Sequence, residues 1–331
     1  MSTDPGSTHG TAAEPGSALR GLCEQVLSEF IADPARNNLG PGASDPAWES
    51  FLLGFAAGDD PLWEELKIAA CPDHWTPAEA FEAAGVGAGS PLAVPNAKQP
   101  TTALAASPVS AGPSGAPLVA ARPADLTVIS WVVVQTEATK ASNRLETRMP
   151  SEEWARARVF GQQANRGLHL ALLEALRSAG YEAIAPALTP AWGEVGQLTN
   201  DWRSTWSERH VAYVAGLGTF GLSGGLITAK GKAVRFGSVI VKAVVPATPR
   251  PYDDPFAYCL HYSGYECAEC AERCPVGSVS VQARDKVACV RQLDLAEKYV
   301  KQHYGFDGYG CGLCQTAVPC ESGIPEELRP A

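Results

Sequence analysis

Basic residues are scarce in this chain. Its 26 lysines and arginines are outnumbered by 36 aspartates and glutamates, which leaves a net charge of −10. That balance argues against broad binding of nucleic acid through its phosphates. No apolar run approaches the eighteen or more residues of a membrane-spanning helix, so no membrane partner is expected. The first 17 residues hold no positive segment, apolar core or twin-arginine pair of an export signal. They are rich in glycine, serine, threonine and proline, read as a disordered tail, and point to a cytoplasmic location. Disulfides are not expected there, and cysteines two residues apart make poor disulfide partners. At 331 residues the chain is long enough for two domains.

Cysteine is plentiful near the carboxyl end. Eight of the ten cysteines fall between Cys259 and Cys320, as Cys259-x7-Cys267-x2-Cys270-x3-Cys274-Pro275, then Cys289, then Cys311-x2-Cys314-x5-Cys320. Thiolate is the soft ligand of iron–sulfur clusters, and Cys-x2-Cys-x3-Cys-Pro is the tail of the bacterial two-cluster ferredoxin run, whose last cysteine serves the other cluster. The spacing predicts two [4Fe–4S] clusters with crossed ligation. Cys259, Cys267, Cys270 and Cys320 hold one, and Cys289, Cys311, Cys314 and Cys274 hold the other. Gly264 stands where the first cysteine of the usual run is expected, so Cys259 reaches in across a longer loop. Cys320 comes two residues late, after Val318-Pro319. Two zinc sites on Cys267-x2-Cys270 and Cys311-x2-Cys314 are the alternative, but zinc explains neither eight cysteines nor the Cys-Pro tail. Cys23 and Cys71 sit in helix-like apolar surroundings and read as packed thiols.

Residues 18–85 read as an N-terminal helical region. Leu22, Val26, Leu27 and Phe30 mark one face of a helix. Asp59-Asp60-Pro61 starts a second helix, and Thr76 with Glu79 forms a capping box for a third. Residues 86–124 are an Ala/Pro/Gly/Ser-rich stretch that reads as a flexible insertion. Leu126–Val134 is a β-branched run expected to form a buried strand. A long helix over 152–179 follows, capped by Ser151 and stopped at Gly180, and 181–187 is the next strand. The order strand–helix–strand predicts an α/β (α+β) sandwich over 125–250, ahead of a cluster domain over 251–325. Thr205 and Glu208 make a second capping box. Gly216-x-Gly218-x-x-Gly221 matches a dinucleotide fingerprint only formally, because it follows a helix and opens a strand. Leu226–Thr228 and Val234–Val241 are expected to pair as a hairpin.

Taken together, Glu208-Arg-His-Val-Ala-Tyr-Val-Ala-Gly-Leu-Gly-Thr-Phe-Gly-Leu222, then Gly-Leu-Ile-Thr228, Gly-Ser-Val-Ile240 and the cysteine block resemble epoxyqueuosine reductases and reductive dehalogenases. Leu53-Gly-Phe-Ala-Ala-Gly-Asp-Asp-Pro-Leu-Trp63 fits the same group. The resemblance implies a nitroreductase-like sandwich that binds cobalamin with its lower base detached, followed by a ferredoxin-like domain with two [4Fe–4S] clusters. Electrons from an external low-potential donor, ferredoxin or flavodoxin, would pass through the clusters to cobalt. The absence of an Asp-x-His-x-x-Gly segment agrees with cobalt not held through histidine. In epoxyqueuosine reductases an aspartate six residues before the Glu donates a proton. That position is Trp202 here, and Asp201 is the adjacent carboxylate for the role. The helical-repeat extension of the tRNA-acting enzymes does not follow Cys320, which favours a small-molecule substrate over tRNA.

Tyr213 and His210 are further proton-donor candidates, each against the alternative of a satisfied structural side chain. Arg156, Arg158 and Arg209 are candidates for the corrinoid phosphate or propionamides, against solvated helix faces. Gly216, Gly218, Gly221, Gly224 and Gly225 are assigned to close backbone approach to the corrin. An electron-transfer protein without its own substrate, or the tRNA-modifying reductase itself, are the competing functions.

Overall fold

The computed structural model describes residues 15–86, 110–111 and 121–329. In chain order its elements are α1 (Pro15–Ala32), β1 (Trp48–Ala57), α2 (Leu62–Ala69), α3 (Pro77–Val86), β2 (Ser110–Ala111), β3 (Thr127–Gln135), α4 (Glu137–Arg144), α5 (Glu152–Ser178), β4 (Ala183–Ile184), β5 (Glu194–Val195), β6 (Arg203–Ser204), α6 (Glu208–Val214), β7 (Gly218–Phe220), β8 (Leu226–Thr228), β9 (Val234–Val241), α7 (Glu269–Glu272) and α8 (Lys286–Tyr304). Five strands form the main sheet in the order β1-β3-β9-β4-β2, with every neighbouring pair antiparallel.

Every residue of β3 is buried because both faces of the sheet are covered. The pleat sends Ile129, Trp131 and Val133 to one side, where α1 and α5 supply Leu19, Leu27, Phe30, Leu168 and Leu172. Val128, Val132 and Val134 face the other side, against Trp63 of α2, Phe81 of α3 and Val211 and Val214 of α6. The result is the α/β sandwich the sequence predicts. Ser151 caps α5 by accepting from Trp154 N at 3.2 Å, and Gly180 ends the helix at φ +90°. The Thr76–Glu79 capping box is also formed, with bonds of 2.7 and 3.3 Å. No helix among the described residues is long and apolar enough to cross a membrane.

Several expectations are corrected. The stretch read as an N-terminal helical region contributes β1, which pairs with β3 from Trp48↔Gln135 to Ala57↔Thr127. Most of the expected tail and of the 86–124 insertion lies outside the described residues, but 15–17 belong to α1 and 110–111 form β2 on β4. The second strand shrinks to Ala183–Ile184. β8 pairs with β7, not with β9, because Val234–Val241 is taken up between β3 and β4. Thr205 does not cap α6. Ser207 occupies that position without a side-chain bond to the helix N–H groups, while Thr205 Oγ1 accepts from Gly193 N at 3.1 Å.

The cysteine-bearing segment packs on the α6 side of the sandwich. Cys259 and Cys270 are part of that core, with Leu222, Ile227 and Val318.

Candidate metal centres

All ten cysteines are free thiols. Cys259, Cys267, Cys270 and Cys320 line one pocket, together with Gly221, Leu222 and Lys232. These are the four residues assigned to one centre by spacing. Cys274 and Cys289 are electrostatic neighbours of both Cys311 and Cys314, which gathers the other four. Cys320 thus lies at the pocket of the first run, and Cys274 lies near the thiols of the second. The two sets approach each other at Cys270 and Cys314.

Backbone geometry explains both departures from the usual run. Gly264 is not a ligand position but a left-handed turn residue at φ +86°, and Tyr265 N bonds back to Leu260 O at 2.9 Å. The longer loop therefore folds back on itself and keeps Cys259 at the pocket. Around Cys320, Ala317 takes φ +53° and Glu321 N donates to Val318 O at 3.0 Å, so a turn absorbs the two extra residues.

The supporting residues were not legible in sequence. Arg273 stands beside Cys274 and donates to the carbonyls of Thr316 (3.1 Å), Leu313 (3.3 Å), Glu146 (2.9 Å) and Asn143 (3.2 Å), tying the two cysteine loops to α4. Arg144 of α4 clasps the buried carboxylate of Glu321, next to Cys320; Nε is 2.9 Å from Oε1. The other carboxylate oxygen accepts from Ala317 N at 2.5 Å. Gly312 lies at φ +65° against Trp154, where a Cβ would come within 2.0 Å of the indole. Cys289 sits in the first turn of α8, whose cap Asp285 accepts from Ala288 N at 3.0 Å.

Burial pushes the Cys270 thiol up to about 11 and the Cys311 thiol up to about 12. A thiol so placed keeps its proton at neutral pH until a bound metal displaces it. Among the described residues no three His, Cys, Asp or Glu side chains converge on one point closely enough for a single ion. Cys23 and Cys71 are both buried away from these sets, and burial pushes the Cys23 thiol up to about 12.

The proton-donor candidates separate. Asp201 is on an exposed turn, with its amide donating to Thr199 Oγ1 at 3.2 Å. His210 and Tyr213 flank Phe220, with ring centroids 4.8 and 5.7 Å from it. His210 Nδ1 is 2.7 Å from Ser207 Oγ. Burial, then the charges of Arg209 and His74, pull its pKa down to about 3, so it has no imidazolium proton to give at neutral pH. Tyr213 stacks on Tyr252, and burial raises its pKa. His74 was missed. It is buried and stacked on Trp206; its Nε2 accepts from Ser207 N at 3.2 Å, which leaves Nδ1 to donate to Trp75 O at 2.9 Å.

Most groups assigned to a corrin are engaged by the protein itself. Arg156 bonds Glu152 at 2.8 Å and the carbonyls of Leu39 and Pro41 at 3.3 and 3.1 Å. Arg158 bonds and covers Tyr309. A Cβ at Gly218 would meet Ile227 O at 2.3 Å, one at Gly224 would meet Arg284 Nη1 at 2.4 Å, and one at Gly216 would meet Pro249 O at 3.0 Å. These glycines serve chain packing. Gly221 faces Ile227 and, at 3.8 Å, the Cys259 sulfur; Gly225 meets only Ser223 and Lys232 at 3.5 Å or more. Arg209 is exposed, with one bond of 2.5 Å to Gly224 O. The buried Nε atoms of Arg203 and Arg284 have no hydrogen-bond partner among the described residues.

No protein-family model matches the chain, and no curated relative matches it. Among solved structures, a selenomethionine-labelled epoxyqueuosine reductase is 14% identical, with a TM-score of 0.45 over 95% of this chain and 68% of that one. Epoxyqueuosine reductase from Bacillus subtilis is 15% identical, with a TM-score of 0.44 over 94% of this chain and 68% of that one. A reductive dehalogenase described with a B12-dependent mechanism is 15% identical, with a TM-score of 0.37 over 66% of this chain and 28% of its own.

Proposed function

We propose that the chain is an iron–sulfur oxidoreductase that carries single electrons through two [4Fe–4S] clusters. The observation that supports this most is the sorting of eight thiols into two sets of four, with Cys274 and Cys320 exchanged between the runs that carry them. Thiolate sets of that composition suit clusters, and the buried setting tunes their potentials. An external low-potential donor, ferredoxin or flavodoxin, supplies the electrons in this reading, and a small molecule is the substrate.

The finer form of the proposal makes a base-off cobalamin the acceptor on the α/β sandwich. When bound, that cofactor supplies two-electron reductive chemistry at low-valent cobalt. The chain's own groups suited to its phosphate and amides are Arg209 and the Nε–H donors of Arg203 and Arg284, which have no partner among the described residues. Tyr213, whose ring centroid is 5.7 Å from that of Phe220, keeps its proton through neutral pH and is the donor candidate of α6.

Anaerobic reconstitution with iron and sulfide, followed by EPR of the reduced protein and addition of cobalamin, tests both levels. Two interacting cluster signals and bound corrinoid bands are expected. Clusters without corrinoid uptake leave an electron-transfer protein and remove the cobalamin reductase. Turnover of epoxyqueuosine-containing tRNA would replace the small-molecule substrate by tRNA.

A further inference from the structure

Lys232 is a buried cation at the pocket of the first cysteine set. It is 3% exposed and lines that pocket with Cys259, Cys267, Cys270 and Cys320. Its main chain is fixed to the cysteine loop, with Lys232 N donating to Cys320 O at 2.9 Å and Glu321 O at 3.1 Å. Gly231 permits this approach: it takes φ +79°, and a Cβ there would stand 2.1 Å from Glu321 O. The side chain then turns back over the same loop. Nζ donates to Ser223 Oγ at 3.4 Å and reaches the sulfur of Cys320. The sulfurs that bear on it are those of Cys320 and Cys270 of the first set and Cys314 of the second.

A buried ammonium is costly unless an opposite charge accompanies it. In the two-cluster reading the countercharge is the cluster-bound thiolates, contributed by both sets. Taking up one electron makes a cluster more negative by one charge, and a fixed positive charge beside its ligands favours that state.

We propose that Lys232 is a positioning residue shared by the two centres, whose fixed charge raises the reduction potential of the Cys259/Cys267/Cys270/Cys320 cluster and, less strongly, that of its neighbour. The proposal rests on the two-cluster reading.

The test is an EPR-monitored redox titration of anaerobically reconstituted full-length protein, with iron and sulfide measured on each sample, for wild type, K232M and K232R. The expected result is that K232M keeps its iron and titrates at lower potential, with the larger shift in one of the two signals, while K232R stays near wild type. An unshifted K232M, or a K232R displaced as far as K232M, overturns the assignment. If K232M loses iron, K232R decides: retained iron at wild-type potential supports the charge, and loss of iron in both variants overturns it. Wild-type protein without iron and sulfide removes the two-cluster reading itself, whereas intact clusters with an unshifted K232M remove only the role of Lys232.

Discussion

Replacing His74 by glutamine should flatten the acid side of the stability curve. His74 is 1% exposed and neutral, with Nδ1–H given to Trp75 O and the Nε2 lone pair taken by Ser207 N–H. Protonation must break the second bond inside the core. Burial accordingly holds the folded pKa at about 4, against 6.5 for the free side chain. The unfolded chain therefore binds a proton that the folded chain refuses. The stabilisation is complete above pH 6.5 and is lost as pH falls from there toward about 4. At about 1.4 kcal/mol per pH unit the interval is worth roughly 3 kcal/mol, of which about 2 is gone by pH 5. His210, held at about 3 chiefly by burial, contributes with the same sign and remains in the variant. Urea unfolding of wild type and H74Q under anaerobic conditions, at pH 7.5 and pH 5, gives the difference directly. Wild type should lose about 2 kcal/mol more than H74Q between the two. Parallel losses would refute the argument, because the native state would then have to accept the proton at no cost.

Other perturbations probe the framework around the thiols. R144M strands the Glu321 carboxylate in the core and should cost about 3 kcal/mol in urea unfolding, whereas the double variant R144M/E321L should recover much of that loss; additive losses would contradict it. G312A forces a side chain into the Trp154 indole at a left-handed position and should cost more than about 2 kcal/mol, read as a lower thermal midpoint and faster iron loss. C320S and C289S should each lower the iron content by up to one cluster, while C23S, which alters a packed thiol, should leave it unchanged.

The parts of the fold that could be read in advance are those with a local cause. β3 announces itself by a β-branched run, α5 by Ser151 and a 3.6-residue apolar period, and α3 by its capping box. That Cys259, Cys267, Cys270 and Cys320 share a pocket could be anticipated from the spacing of the cysteine runs. β1 was not, since Phe51-Leu-Leu-Gly-Phe-Ala-Ala57 is apolar on both faces and its strand character depends on β3 beside it. The partner of β8 was equally a tertiary decision, because β9 finds β3 and β4 before it can close a local hairpin. At the site, Arg273, Arg144, Glu321 and Lys232 act on residues far away in sequence, through carbonyls and sulfurs that no spacing rule marks. The glycines misled for a related reason: the room they leave at Gly218 and Gly224 is filled by Ile227 and Arg284.

Mössbauer spectroscopy of iron-57-labelled, anaerobically purified protein, combined with iron and acid-labile sulfide analysis, bears most directly on the paired thiol sets. About eight iron atoms and eight sulfides per chain, all in the valence-delocalised pairs of [4Fe–4S] clusters, is the predicted result. Zinc in place of iron, or iron without sulfide, would contradict it.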